Sequence, residues 1–261
     1  MKKIALNVLV VGATGSIGRL VVEEALKQGH AVRALVRDPS RARALPPGAE
    51  RVVGDLTRPE TLAAAVDGID AIVFTHGSDG GGKATVEAVD YGGVRNVLTA
   101  NAGRPVRIAL MTAIGVTDRF GAYNRSTESH DWKRRGERLV RASGLAYTIV
   151  RPSWFDYNDK DQHRLVMLQG DTRHAGNSSD GVVSRRQIAE VLVRSLTSDS
   201  ANRKTFELVA ERGPATTDFD ALFTALVADA AGALDAMRDA QNMPIADEPA
   251  RVREDLHNLG A

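Results

Sequence analysis

Apolar positions in this chain recur with two different periods, and the period switches at glycine and proline clusters. Residues 6–11 form a short, mostly apolar run ending in a glycine turn, which predicts a strand buried on both faces. From Ile17 onward the spacing becomes helical, with Ile17, Leu20, Val21 and Ala25 on one face, and predicts a helix over 17–28 that stops at Gly29. Residues 31–36 and 50–53 read as the second and third strands, 59–66 as a short amphipathic helix and 69–74 as the fourth strand. After a loop at 78–82 too rich in glycine for regular structure, 83–101 reads as helix, and 106–111 and 146–150 as strands five and six. This alternation predicts an α/β fold with a doubly wound parallel sheet.

The later pattern is more mixed. Residues 164–168 read as another strand, and 171–180 as a polar loop with the composition of a flexible lid. Ile188, Ala189, Leu192, Val193 and Leu196 give 185–196 a helical face, and 205–209 a late strand. Helical stretches follow at 219–230 and 233–239, then an acidic-basic tail to 261. Three roles are open to that tail: covering a substrate pocket, contacting a second copy in a homodimer, or capping the domain. The expected division is a dinucleotide-binding core over 1–155 and a small C-terminal portion, 156–261, that forms the substrate pocket and packs on the core.

Charge and composition narrow the function. With 34 Lys and Arg against 33 Asp and Glu, no basic field exists to attract nucleic acid or an anionic membrane. The absence of cysteine excludes disulfides, thiolate zinc sites and a cysteine nucleophile. Lys2 and Lys3 precede an apolar stretch, but Asn7 interrupts it and no cleavage-type site follows, so it reads as strand one rather than a leader. No run approaches the ~20 apolar residues of a membrane span, and a cytoplasmic protein is expected. His163 and His174 lack metal-ligand spacing with any carboxylate pair, and no metal is expected.

The chemistry starts at Gly12-Ala13-Thr14-Gly15-Ser16-Ile17-Gly18, between the first strand and the first helix. Gly12 allows the tight turn, Gly15 lets the backbone approach a pyrophosphate, and Gly18 lets the helix pack closely on the sheet. The free amides at the helix start then face the phosphates. The second strand ends in Arg37-Asp38-Pro39. An arginine there pairs with a 2′-phosphate, which favours NADP(H), while Asp38 before Pro39 reads as a helix cap. Ligands of open α/β sheets lie outside the carboxyl ends of the strands, so Thr75, His76 and Gly77 fall along the path of the nicotinamide ribose. Past strand six, Arg151-Pro152-Ser153-Trp154-Phe155-Asp156-Tyr157 is the most aromatic patch in the chain. Pro152 would fix a bend, and Trp154, Phe155 and Tyr157 would either wall a flat substrate, with Tyr157 able to supply a proton, or seal the core.

Several runs together resemble the atypical short-chain dehydrogenase/reductase family in its NmrA-like, NAD(P)-binding branch. They are Val11 to Gly18, Leu35-Val36-Arg37-Asp38, Gly54-Asp55-Leu56, Asp90-Tyr91-Gly92-Gly93-Val94-Arg95-Asn96-Val97 and Gly144 to Pro152. The resemblance covers roughly residues 5 to 210 and implies a Rossmann fold holding NADP(H). It also implies that Gly12, Thr14, Gly15, Ser16 and Ile17 line the pyrophosphate, that Arg37 takes the 2′-phosphate, and that Asp55 with Leu56 borders adenine.

The catalytic positions depart from the family. Conventional members place a tyrosine four residues before a lysine, on one helical face. Here Lys133 keeps the register and is expected to hold the nicotinamide ribose, but Ser129 stands where the tyrosine would be. A serine hydroxyl is far less acidic than a phenol and cannot simply inherit its role. The usual serine after strand five corresponds to Thr112 or Ala113, and the supporting asparagine to Asp90. Two enzymatic routes stay open. Either His130, three residues before Lys133, donates the proton, or a conjugated acceptor such as a quinone or flavin takes it from water. Because Arg134, Arg135 and Arg138 follow it, the plain alternative for Lys133 is membership of a solvated basic face. The expected function is NADPH-dependent hydride transfer to a small planar acceptor such as a quinone, flavin, enone or carbonyl compound. The alternative is an NADP-binding redox sensor or regulator without turnover.

Overall fold

The computed structural model describes residues 5–78 and 80–260, so Lys2, Lys3, one residue of the glycine-rich loop and the chain end lie outside the described residues. In chain order the first half runs β1 (Asn7–Val11), α1 (Ser16–Lys27), β2 (Ala31–Val36), β3 (Ala49–Val53), α2 (Ala63–Val66) and β4 (Ala71–Phe74). It continues through α3 (Lys83–Val86), a π-helical segment (Glu87–Tyr91), α4 (Gly92–Asn101), β5 (Arg107–Met111), α5 (Ala122–Thr127), α6 (Ser129–Ala142) and β6 (Ala146–Pro152). The remainder is β7 (Trp154–Phe155), β8 (Arg164–Leu168), β9 (Val182–Val183), α7 (Arg185–Ser195), β10 (Lys204–Glu211), α8 (Phe219–Thr224) and α9 (Ala250–Gly260).

The main sheet has the order β3-β2-β1-β4-β5-β6-β10-β8. Its first six strands are parallel in the Rossmann arrangement, which puts a topological switch point between β1 and β4. Beyond residue 155, β10 pairs parallel with β6 and β8 antiparallel with β10, extending the same sheet. One face buries Val8, Val10 and Val73 against α1 and α7. The other buries Leu9, Ile72 and Ile108 against α4, α6 and α9. Both faces are covered, which is why the strands read as continuous apolar runs. Among the described residues no helix is long and apolar enough to cross a membrane.

Several local expectations change. No α-helix starts at Asp38: its carboxylate accepts from the Ser40 amide at 2.8 Å, and a short 3₁₀ helix follows at Arg41–Ala44. The stretch 59–66 splits into a 3₁₀ turn and α2. The long helix over 83–101 is interrupted by the π segment. Helix 219–230 stops at Thr224, and 233–239 forms no regular helix. In the loop over 171–180 one buried carboxylate anchors the start to the body and another braces the loop internally. Asp171 accepts from the amides of Gly115 and Thr117 at 2.6 and 2.7 Å, and Asp180 from those of Ala175 and Gly176 at 2.7 and 2.8 Å.

The largest correction concerns α6. Arg134 and Arg138 are fully buried, not solvated, because the tail folds back over them with acids. Arg134 and Arg138 both donate to Asp235, Arg135 and Arg138 to Glu248, and Arg141 to Asp229. The α9 helix adds Asp255, which accepts from the Tyr91 hydroxyl at 2.7 Å. The tail thus caps α6 and the π segment.

Candidate functional site

A cleft of about 590 Å³ opens along the carboxyl ends of β1, β2, β4 and β5. Its floor is the glycine turn. Gly12 has φ +84°, and a Cβ there would stand 2.6 Å from the His76 amide nitrogen; a Cβ on Gly18 would stand 2.1 Å from the Gly12 carbonyl oxygen. Only hydrogen fits at either place, so α1 starts hard against the turn. No side chain caps that start, and its leading amides are left for an anion. A cradle that backbone alone can line fits a pyrophosphate.

At one end of the cleft stand Arg37 and Arg41, beside Asp38 and Asp55. Hydrogen bonds from Ser40 hold the Asp38 carboxyl below the usual range. Burial pushes Asp55 up, but the hydrogen bonds from Thr57 and the charge of Arg37 outweigh it and leave the carboxyl low. Both acids are tied into their own turns, which leaves the guanidinium groups of Arg37 and Arg41 as the cations at this end of the cleft.

At the other end Asp90, 5% exposed, projects from the π segment, a helical irregularity that frequently marks functional positions. The Lys133 ammonium donates to Asp90 Oδ1, and to Ser129 Oγ at 3.2 Å. The four-residue spacing therefore does place Ser129 and Lys133 together on one face of α6. His76 lies beside them. Burial pushes its imidazole down to about 4, with Lys133 adding to the depression and Asp90 opposing it, so the ring is neutral near pH 7. Thr112 Oγ1 donates to Glu137 Oε1 at 2.7 Å. Glu137 is fully buried, a cost that would raise its pKa, yet the charge and hydrogen bonds of Arg151 hold its carboxyl down at about 2.

The structure brings most of the expected residues into this one cleft. Gly12, Thr14, Gly15, Ser16 and Ile17 line the turn, and Arg37, Asp55 and Leu56 the far end. Thr75, His76, Gly77, Thr112, Lys133 and Phe155 line the rest. Four are not brought in. The His130 ring packs 3.3 Å from where a Gly115 Cβ would be and 5.0 Å from the Tyr123 ring, and burial pushes its pKa down. In β7 successive side chains take opposite sides: Phe155 faces the cleft, while Trp154 meets Tyr157 edge-on at 6.3 Å outside it. Tyr157 is 67% exposed, and Pro152 is buried within β6. The aromatic wall is thus Phe155 alone from that patch.

Sequence reasoning missed Arg41 and Tyr123, both on the cleft. Arg41 had a signal, standing four residues after Arg37. Tyr123 had none, because the six-residue α5 carries no apolar period. Among the described residues no group of three or more metal-ligating side chains occurs.

A family model described as NAD(P)H-binding matches residues 12–199. The chain is 29% identical over 216 residues to the photosystem II assembly factor Ycf39 of Synechocystis sp., a match taking in 82% of this chain but only 65% of that protein. It is 28% identical over 262 residues to sanguinarine reductase of Eschscholzia californica, covering 84% of this chain and 95% of the relative. Among solved structures, a putative NAD-dependent epimerase/dehydratase from Bacillus halodurans shares the fold with a TM-score of 0.69, at 24% identity over 80% of this chain and 96% of that one.

Proposed function

Because this chain belongs to the NAD(P)H-binding family, among the atypical short-chain dehydrogenases/reductases, we propose that it is an NADPH-dependent reductase of a small, planar, conjugated acceptor. The observation that carries this reading is the continuity of one cleft from the glycine turn and Arg37 to Lys133 and Phe155. The α1 amides and the cradle of Gly12 and Gly15 would hold the pyrophosphate, and Arg37 with Arg41 the 2′-phosphate that distinguishes NADPH from NADH. When bound, the reduced nicotinamide supplies a hydride. Lys133, fixed by Asp90, has a remaining N–H for a ribose hydroxyl, and Phe155 offers a flat face to a flat acceptor. The similarity to a sanguinarine reductase supports a conjugated acceptor.

Oxidation of NADPH, followed by absorbance against quinones, flavins, enones and aldehydes with NADH in parallel, tests the reading. Turnover favouring NADPH is expected; turnover favouring NADH overturns the role of Arg37. A second reading, an NADP-binding regulator without turnover, is supported by Ser129 in the tyrosine position and by the similarity to an assembly factor. Lys133→Ala separates the two. A reductase loses turnover, whereas a regulator changes only in cofactor affinity.

A further inference from the structure

We infer that Ser129 passes to the acceptor the proton that its reduction consumes, drawing it from Lys133 behind; this rests on the reductase reading above. Most hydroxyl protons on this side of the cleft are already committed to acceptors. Thr75 donates to the Val11 carbonyl at 3.0 Å. Ser126 and Thr127 both donate to the Tyr123 carbonyl, at 2.8 and 2.9 Å. Thr112 donates to Glu137, whose carboxylate can only accept because Arg151 holds it ionised. Thr112, which with Ala113 is one of the two positions corresponding to the family's serine, presents only lone pairs to the cleft. Ser129 differs from these four in touching Lys133 directly. Its Oγ accepts from Lys133 Nζ at 3.2 Å, and among the described residues its own hydroxyl has no acceptor. The side chain is buried, lines the cleft, and has its proton free for a ligand.

Serine alone is too weak an acid for this work, but a relay does not require it to ionise. As the Oγ–H proton moves to the acceptor's oxygen or nitrogen, Oγ takes a proton from the Lys133 ammonium and is again a hydroxyl. The acceptor carbon gains the hydride, and the π pair of its double bond moves to the heteroatom that is protonated. Lys133 is left neutral beside Asp90 and regains a proton from water, to which its side chain is 20% exposed. Hydride and proton together complete a two-electron reduction. Tyr123 is the competing donor, but it is 57% exposed and its phenol makes no hydrogen bond to Lys133.

The test compares two kinds of acceptor. A neutral enone or quinone needs the proton, whereas a cationic phenazinium or N-alkyl iminium becomes neutral on taking hydride and needs none. Ser129→Ala is expected to lower turnover of the neutral acceptor about 100-fold, the lower end of general acid-base effects, while the cationic acceptor stays within about threefold. NADPH affinity, read by fluorescence titration, also stays within about threefold, and Ser129→Thr restores turnover of the neutral acceptor. The relay is overturned if both acceptors fall together in Ser129→Ala, if neither falls, or if Tyr123→Phe alone reproduces the split. Wild-type protein that binds NADPH but reduces no acceptor of either kind overturns the reductase reading itself, and the relay with it.

Discussion

Arg138 donates to Glu248 Oε1 at 2.8 Å across 110 positions of sequence, with both side chains buried. The same guanidinium reaches both oxygens of Asp235 and the carbonyl of Met243, so one buried cation holds three points of the tail. Removing one partner of such a network strands the others in a medium of low polarity. Arg138→Met is therefore expected to destabilise the protein by about 3–5 kcal/mol in urea unfolding. It should also open residues 235–249 to limited proteolysis before the sheet unfolds. A loss below about 1 kcal/mol would mean that Arg134 and Arg135 hold the tail unaided.

That pair also marks the limit of what the sequence shows. Strands β1, β2, β4, β5 and β6 were legible because burial on both faces makes a parallel strand a nearly unbroken apolar run. The glycine turn and Arg37 were legible because the positions of a βα corner fix their chemistry locally. Arg134, Arg135 and Arg138 were not, since a run of charge on a helix is ordinarily solvated and the acids that bury it lie about a hundred residues away. His130 and Ser129 are neighbours on one helix, yet the first packs against Gly115 and Tyr123 while the second lines the cleft, a difference that comes from tertiary contacts. The lining role of Phe155 against the outward turn of Trp154 depends on β7 pairing with β9, a contact without a local signature.

Arg37 and Arg41 face the same end of the cleft. A charge-assisted hydrogen bond to phosphate contributes about 1.5–3 kcal/mol, so Arg37→Ala or Arg41→Ala should each weaken NADPH binding by roughly 10- to 100-fold. Binding of NADH, which lacks that phosphate, should change less than about threefold. Equal losses for both dinucleotides would place the 2′-phosphate elsewhere.

Two buried glutamates predict opposite responses to pH. Burial, reinforced by the charge of Asp171, pushes Glu207 up to about 7 against an ordinary value of 4.5, although Arg151 opposes the shift. Between those values the folded chain holds a proton that the unfolded chain has released, so this group costs stability as pH rises from 4.5 through 7. Glu207→Gln should therefore raise the thermal midpoint at pH 8, by an equivalent of about 2–3 kcal/mol, and change little at pH 4. Glu137 runs the other way. Held at about 2 by Arg151 against its burial, it stabilises the fold above its ordinary 4.5, and that contribution is lost as pH falls toward 2. A midpoint in Glu207→Gln that tracks wild type across this range would show that Arg151 already neutralises the carboxylate.

Gly18 separates close packing from mere flexibility. A Cβ there would lie 2.1 Å from the Gly12 carbonyl oxygen, and Gly12 cannot retreat because a Cβ-sized space on its own far side is filled by the His76 backbone at 2.6 Å. Any accommodation in Gly18→Ala must therefore move the start of α1 outward, carrying with it the amides that face the phosphates. Alanine favours a helix more than glycine does, so propensity alone predicts a gain of about 1 kcal/mol. The clash predicts the reverse: a destabilised protein with NADPH affinity at least about 30-fold weaker by fluorescence titration, since roughly 2 kcal/mol of binding depends on where those amides point. Gly48→Ala is the control, because the new methyl would meet only the Leu26 side chain at 3.5 Å and should leave affinity unchanged. If Gly18→Ala binds NADPH as wild type does, the pyrophosphate is not held by the start of α1.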